Sequence, residues 1–327
     1  MVTKPEKLAL LTSGGDAPGL NAAIRAVVRT AAYNGIQVIG VQRGYEGLIE
    51  GDFMEMDTEQ VGNLIHLGGT ILKSSRSQKF KTEQGRNEAY NQLKNAGIKS
   101  IIILGGDGTF AGARNFTAEH TIQCVGIPKT IDNDLYGSDY TIGFDTAVNT
   151  AMRAIDKIRD TAESHNRIFL VEVMGRDAGF IAMHTGLATG AEAILVPETK
   201  TTVDLLIKTI ETKKNSKNRS HIVVVAEGDE EGGAFDIAEK LKEALPEYDI
   251  GTCVLGHIQR GGSPTCNDRI LGSKLGAAAV EAIIDGKHNV MVGEINKEIV
   301  YTPFEKAVKQ HMELNPCFLQ LIRMFSA

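Results

Sequence analysis

Short apolar runs alternate with longer amphipathic stretches along the whole chain. Leu8–Leu11 is an apolar run of strand length with Gly14 and Gly15 just behind it. Ala22–Asn34 carries a helical pattern that stops at Gly35, the residue type best suited to close a helix in the left-handed conformation. Gln37–Val41 predicts the next strand, Ile101–Leu104 a fully apolar one followed again by glycines, and Cys124–Ile127 another, ended by Pro128. The order then restarts. Asp145–Glu163 predicts a long helix, and Ile168–Val173, Ala193–Val196 and Ile222–Ala226 predict strands with helical segments between and after them. Strands that are apolar throughout are buried on both faces, so the alternation predicts an α/β fold whose parallel sheets are covered by helices on each side. With 327 residues the chain is longer than one core usually fills, which predicts two α/β lobes of related design. Lys213–Arg219 predicts a basic surface loop.

Composition narrows the function classes. Hydrophobic residues make up 42% and charged residues 23%, ordinary values for a globular protein. The longest apolar runs, such as Ile101–Leu104 and Ile222–Ala226, are too short to span a bilayer, and Leu8–Leu11 is too short for a signal-peptide core, so a cytoplasmic protein is expected. Cys124, Cys253, Cys266 and Cys317 form no CxxC pair, which points to reduced structural thiols rather than zinc or a redox couple. A net charge of −6 argues against a broad nucleic-acid or anionic-membrane surface. An anionic small substrate would therefore need locally clustered cations.

Four segments supply suitable chemistry. Thr12–Asn21 (TSGGDAPGLN) lies between a strand and a helix, where glycines let the backbone approach a phosphate and the helix N-terminus favours an anion. It lacks GxxxxGK[ST] and is no P-loop; taken alone it fits an ordinary β–α turn equally well. Gly105–Thr109 (GGDGT) also joins a strand to a helix, and Gly106–Ala111 formally fits the dinucleotide pattern GxGxxA. Asp107 would repel a bare pyrophosphate there, and no acidic residue for a ribose follows the strand Cys124–Pro128. A carboxylate among phosphates makes sense when both hold Mg²⁺, which favours a metal–nucleotide over a dinucleotide. In Pro128–Asp134 (PKTIDND) two carboxylates two residues apart in an extended loop can point the same way, one to take a proton from an attacking hydroxyl; an Asx-rich turn is the plainer reading. Cations come last. Arg176 follows the strand ending at Val173, His257 and Arg260 sit three apart in a glycine-bounded loop, and Arg25 and Arg29 share one face of the first helix.

Together these segments resemble the phosphofructokinase family. Thr12–Asn21, Gly105–Thr109, Thr130–Asp134, Val173–Arg176 and Leu255–Pro264 occur in that family's order over most of the chain. GGDG is shared with NAD kinases and lipid kinases, whereas TIDND combined with MGR and GHIQRGG is highly specific. The resemblance implies the phosphofructokinase fold, with two Rossmann-like lobes: a nucleotide-binding lobe of residues 1–143 plus about 258–308, and a sugar-phosphate-binding lobe of 144–257 plus about 309–327. It implies phosphoryl transfer from ATP, with Mg²⁺ as the metal, to the 1-hydroxyl of fructose 6-phosphate. On this resemblance Asp132 is the general base, Arg176 stabilises the transferring group, and Asp134 and Thr130 assist. Asp107 is the Mg²⁺ ligand. Gly15, Arg76, Ser77, Gly106, Gly108 and Thr109 join Asp107 as nucleotide contacts. Thr130, Ile131, Asp132, Met174, Gly175, Arg176, Glu227, His257, Ile258, Gln259 and Arg260 are sugar-phosphate contacts, and Arg167 reaches a neighbouring subunit's site. Arg25, Arg29, Arg159 and Glu192 match an effector site, and a homotetramer without nucleic-acid or membrane partners is expected.

Some positions depart from the family pattern. Gly108 is the small residue of ATP users, where pyrophosphate users carry Asp; Lys129 is Gly in many bacterial ATP enzymes and Lys in pyrophosphate enzymes. An Asp at 108 would collide with and repel the α-phosphate, so Gly108 weighs toward ATP. Gly251 stands where many members carry an Arg for the sugar's 6-phosphate, Thr58 where some carry an effector Arg, and Lys73 where Gly is common. The alternatives are a pyrophosphate-dependent phosphofructokinase, a dinucleotide-dependent oxidoreductase resting on GxGxxA alone, and a non-catalytic sugar-phosphate-binding regulatory protein. The last is disfavoured because Asp107, Asp132 and Arg176 are all present.

Overall fold

The computed structural model describes residues 4–165, 167–199, 202–212, 221–310 and 312–325, so the basic stretch Lys213–Arg219 lies outside the described residues. In chain order the elements are β1 (Lys7–Thr12), α1 (Leu20–Tyr33), β2 (Gln37–Val41), α2 (Gly44–Glu50), β3 (Phe53–Met56), α3 (Glu83–Asn95), β4 (Ser100–Gly105), α4 (Asp107–Glu119), β5 (Gln123–Pro128) and α5 (Phe144–His165). They continue with β6 (Ile168–Val173), α6 (Phe180–Thr189), β7 (Ala193–Leu195), α7 (Val203–Thr212), β8 (His221–Ala226), α8 (Ala234–Ala244), β9 (Ile250–Val254), α9 (Cys266–Ile284), β10 (Val290–Ile295), β11 (Glu298–Pro303), α10 (Phe304–Lys309) and α11 (Pro316–Phe325). The chain divides into two units. One holds residues 1–131, 135–146 and 260–312; the other holds 132–134, 147–259 and 313–327.

In the first unit seven strands run in the order β11-β10-β5-β4-β1-β2-β3. The inner pairs are parallel, and the two outermost strands, β3 and β11, pair antiparallel with β2 and β10. Alternate residues of the buried strands face opposite cores. Leu8 and Leu10 join Leu20, Ile24, Val27 and Val28 of α1 with Leu275 and Ala279 of α9. Ala9 and Leu11 join Leu48 of α2, Leu93 of α3 and Phe110 of α4 on the other face. The two main helices of the first face lie close because α9 places glycines four apart: a Cβ at Gly276 would come 2.7 Å from the Ala23 carbonyl. β1 and β4 are neighbours, but α1 leads β1 away to β2 while α4 leads β4 away to β5 on the opposite side. That reversal leaves a crevice at the carboxyl ends of β1 and β4, where open α/β sheets hold ligands.

In the second unit four parallel strands run β7-β8-β6-β9. α7 and α8 bury Leu206, Ile210, Ile237 and Leu241 against Leu170, Val223 and Val225 of the sheet. Val173 of β6 lies beside Ala226 of β8, so the segments beginning at Met174 and Glu227 leave the sheet side by side. Gly256–Arg260, read from sequence as an open glycine-bounded loop, is a 3₁₀ turn directly after β9.

One buried carboxylate ties the start of α5 to the start of α9. Asp268 is 1% exposed. Its Oδ1 accepts from the Gly143 amide at 2.8 Å, and its Oδ2 accepts from the Thr146 amide at 2.8 Å and from the Thr146 hydroxyl. Thr265 caps α9 in turn, accepting from the Asp268 amide at 3.3 Å. Burial pushes the Asp268 carboxyl up to about 6. A carboxyl whose folded value lies above its unfolded value favours folding at pH below about 4 and loses that contribution as pH rises through about 6. Wild-type stability relative to Asp268→Asn should therefore fall by about 2 kcal/mol from pH 4 to pH 7. Urea unfolding of both proteins across that range checks it; a pH-independent difference would refute the assignment.

Candidate active site

The crevice at β1 and β4 is floored by the glycine loop Ser13–Asp16. The Ser13 amide donates to the Leu104 carbonyl at 2.9 Å, which fixes the loop to the end of β4. Gly14 has a φ of 82°, a left-handed conformation that glycine adopts without strain. The loop's carbonyls all accept from side chains. Lys129 Nζ donates to Ser13 O at 3.0 Å and also to Gly15 O, Ser74 Oγ donates to Gly14 O, and Arg260 Nη1 donates to Asp16 O at 3.3 Å. A Cβ at Gly15 would sit 2.8 Å from Arg260 Nη1, so a larger residue there would push the end of that arginine aside.

The second loop is shorter than the sequence suggested. α4 begins at Asp107 itself, with Gly106 as its N-cap; Thr109 and Phe110 each donate to the Gly106 carbonyl at 3.0 Å. Asp107 therefore stands half-buried on the first helical turn, where a carboxylate complements the helix dipole, instead of inside the loop. Gly105 is required by close packing, since a Cβ there would lie 2.3 Å from Thr109 Oγ1. Gly108 is not: an added Cβ would meet nothing within 4 Å. The segment that carries Arg76 and Ser77 is tied to the first loop through Ser74. Arg76 is exposed, and Ser77 Oγ accepts from the Phe80 amide at 3.1 Å. Thr130 and Ile131 follow β5 in the same unit, with the Thr130 carbonyl accepting from Thr141 Oγ1 at 2.6 Å.

In the second unit the segment 132–134 is not extended throughout. Asn133 has a φ of 55°, which Asn tolerates better than most residues. Asp132 is 2% exposed while Asp134 is half-buried. Arg176 Nε lies 3.7 Å from Asp132 Oδ2, and the arginine side chain is itself half-exposed. The turn that presents Arg176 is pinned by two side chains. Gln259 Oε1 accepts from the Met174 amide at 2.9 Å, and Glu227 Oε1 accepts from the Gly175 and Arg176 amides at 3.2 and 2.7 Å. Arg176 itself takes a left-handed φ of 53°, and its carbonyl fits only because residue 228 is glycine: a Cβ there would be 2.0 Å away. The 3₁₀ turn separates its members, leaving His257 and Ile258 exposed and Gln259 fully buried.

Other expected residues sit apart from these clusters. Arg167 pairs with Asp249. Arg159 and Glu192 come together at 3.7 Å, and Arg159 also donates to the carbonyls of Thr189 and Gly190. Arg25, half-buried, and Arg29, exposed, lie on α1 in the first unit. Gly251 pairs with Phe169, whose ring lies 2.6 Å from where a Cβ at 251 would be, so a longer side chain there needs that ring to move. The sequence reading did not single out Ser74 or Gly228. A glycine loop whose carbonyls need partners was the available signal for Ser74; Gly228 had none.

Chemically, the first cluster offers backbone amides, a carboxylate and arginines suited to a metal-bound polyphosphate, and the second offers a buried carboxylate facing a guanidinium. Among the described residues no group of three or more His, Cys, Asp or Glu side chains could cage a metal. Mg²⁺ commonly uses one or two carboxylates and completes its shell with phosphate oxygens and water, so Asp107 fits that ion as a hard oxygen ligand. No helix among the described residues is long and apolar enough to cross a membrane.

Comparison with known proteins places the chain. The family profile described as Phosphofructokinase matches residues 7–283. The chain is 53% identical to ATP-dependent 6-phosphofructokinase 1 of Thermus thermophilus over 321 residues, covering 98% of this chain and 99% of that one. It is 52% identical to ATP-dependent 6-phosphofructokinase 2 of Bacteroides thetaiotaomicron over 319 residues, covering 98% of each. Among solved structures, phosphofructokinase from Saccharomyces cerevisiae superposes with a TM-score of 0.86 at 34% identity, covering 93% of this chain and 45% of the yeast chain. With a family profile spanning most of its length and about half its residues shared with such relatives end to end, the chain belongs to the phosphofructokinase family.

Proposed function

We propose that the protein transfers the γ-phosphoryl group of ATP to the 1-hydroxyl of fructose 6-phosphate, giving fructose 1,6-bisphosphate and ADP. The observation that carries this reading is Asp132, a buried carboxylate facing the Arg176 guanidinium at 3.7 Å. Phosphoryl transfer needs positioning and charge stabilisation more than covalent chemistry. Asp132 accepts the proton of the sugar hydroxyl, which becomes the nucleophile. Arg176, held by Glu227 and Gln259 through its own turn, meets the negative charge on the transferring group. The amides of the glycine loops hold the donor's phosphates, and Asp107 would hold Mg²⁺, which would supply charge neutralisation there when bound. Thr130, His257 and Arg260 contact the sugar phosphate. The identities of about one half with ATP-dependent relatives support ATP as donor, and so does the open space at Gly108.

The same reading makes the enzyme a cytoplasmic homotetramer, with Arg167 serving a neighbouring subunit and Arg25, Arg29, Arg159 and Glu192 forming an effector site. The contact between Arg159 and Glu192 supports the last of these.

Coupled turnover of fructose 6-phosphate with Mg²⁺ and either ATP or pyrophosphate tests the reading. Turnover with ATP is expected; turnover with pyrophosphate alone would overturn the donor, and turnover with neither would overturn the reaction. A variant sharpens the point. Because an added Cβ at 108 meets nothing within 4 Å and the backbone there is not left-handed, Gly108→Asp should fold normally. It should nonetheless lower kcat/KM for ATP at least ~10-fold, since the new carboxylate faces the donor's phosphates. An unchanged kcat/KM for ATP would remove Gly108 from the nucleotide site.

A further inference from the structure

The four consecutive carbonyls of the first glycine loop, Ser13 through Asp16, are each held by a side chain from a distant part of the first unit. Lys129 holds two of them, Ser74 one and Arg260 one. In a trans peptide the C=O and the following N–H point in opposite directions. Turning these four carbonyls toward Lys129, Ser74 and Arg260 therefore turns the amides of Gly14, Gly15, Asp16 and Ala17 the other way. A left-handed residue such as Gly14 is what a backbone nest that receives anions requires. Lys129 is central to this arrangement. It is 3% exposed, emerges at the end of β5 beside β4, and reaches back to the end of β1.

We infer that Lys129 is a positioning residue for the phosphoryl donor: its ammonium group holds the loop's carbonyls so that the loop's amides face the donor's phosphates. The inference rests on the reading of this loop as the donor's phosphate site. In this role Lys129 neither selects pyrophosphate nor opposes ATP, because any polyphosphate would meet the same row of amides. The lysine and Gly108 then do not conflict.

The test compares wild type with Lys129→Met, Ser74→Ala and the double variant in the full chain, with steady-state KM for donor and for fructose 6-phosphate. The donor is whichever of MgATP and Mg-pyrophosphate the wild type uses. Lys129→Met is expected to raise the donor KM at least ~10-fold, the loss expected for hydrogen bonds from a charged donor, with the sugar KM unchanged. Ser74→Ala, which acts only through the loop, should raise the same KM by about 2- to 5-fold. The double variant should be no worse than Lys129→Met alone, because both side chains hold one element. Unchanged donor KM in Lys129→Met, fully additive effects, or a switch of donor preference at constant KM would each overturn the proposal. If Lys129→Met does not fold, an unchanged donor KM in Ser74→Ala does the same. A wild type that turns over neither donor would refute the reading of the loop, and the proposal with it.

Discussion

Asp132→Ser is expected to lower kcat at least ~100-fold, the usual loss when a single general base is removed. The fold should survive the change. Asp132 is buried, but its charged neighbour Arg176 is half-exposed, so water can solvate the guanidinium once the carboxylate is gone. A melting temperature close to wild type would therefore accompany the loss of turnover. The binding of ATP, measured by titration without sugar, should also be unchanged, because the residues proposed to hold the donor lie in Ser13–Asp16 and Gly105–Thr109. A shift of donor KM in step with kcat would point to a binding role instead. Near-normal turnover in this variant would sink the assignment of Asp132 as the base.

The elements that sequence pattern made legible are those whose environment is uniform. β2 and β6 have the predicted limits, and β1, β4, β5 and β8 each extend the predicted apolar run by a residue or two. All are buried on both faces, so their composition alone announces them. β3, β9, β10 and β11 were not anticipated. All four have mixed burial, and neither a continuous apolar run nor clean alternation marks them; β3 and β11 are antiparallel edge strands. Within the candidate site, GGDG, TIDND and MGR were visible because several polar residues cluster at strand ends. The contacts that shape them were not. Lys129 reaches a loop 116 positions away and Ser74 one 60 positions away, so nothing local records either contact. Asp268 is a similar case: Thr265-Cys266-Asn267-Asp268 hints at a helix start, but that its carboxylate also caps α5, 122 residues earlier, is a fact of packing. The 3₁₀ turn at Gly256–Arg260 separates Gln259 from His257 and Ile258 for the same reason, since the partner that draws Gln259 inward is the Met174 amide.

Arg176→Ala should lower kcat by ~10²–10³-fold, the range seen when one preorganised donor is taken from a developing negative charge. Two companion variants separate charge from geometry. Arg176→Lys keeps the charge but replaces a planar guanidinium by a compact ammonium, so it should recover only part of the loss. Gly228→Ala leaves the arginine in place, yet its new Cβ would lie 2.0 Å from the Arg176 carbonyl and must displace the turn. That turn already holds Arg176 at a φ of 53° through the Glu227 carboxylate, so little freedom remains to absorb the shift. Gly228→Ala is therefore expected to lower kcat in the same direction as Arg176→Ala, with the KM for ATP near wild type. Glu227→Gln keeps an oxygen acceptor for the two amides and should be milder than Glu227→Ala in kcat. If Gly228→Ala turns over at the wild-type rate while Arg176→Ala does not, the arginine works from its charge alone and the pinned turn is dispensable. If both are near normal, the charge on the transferring group is met by other residues, and the pairing of Arg176 with Asp132 is structural.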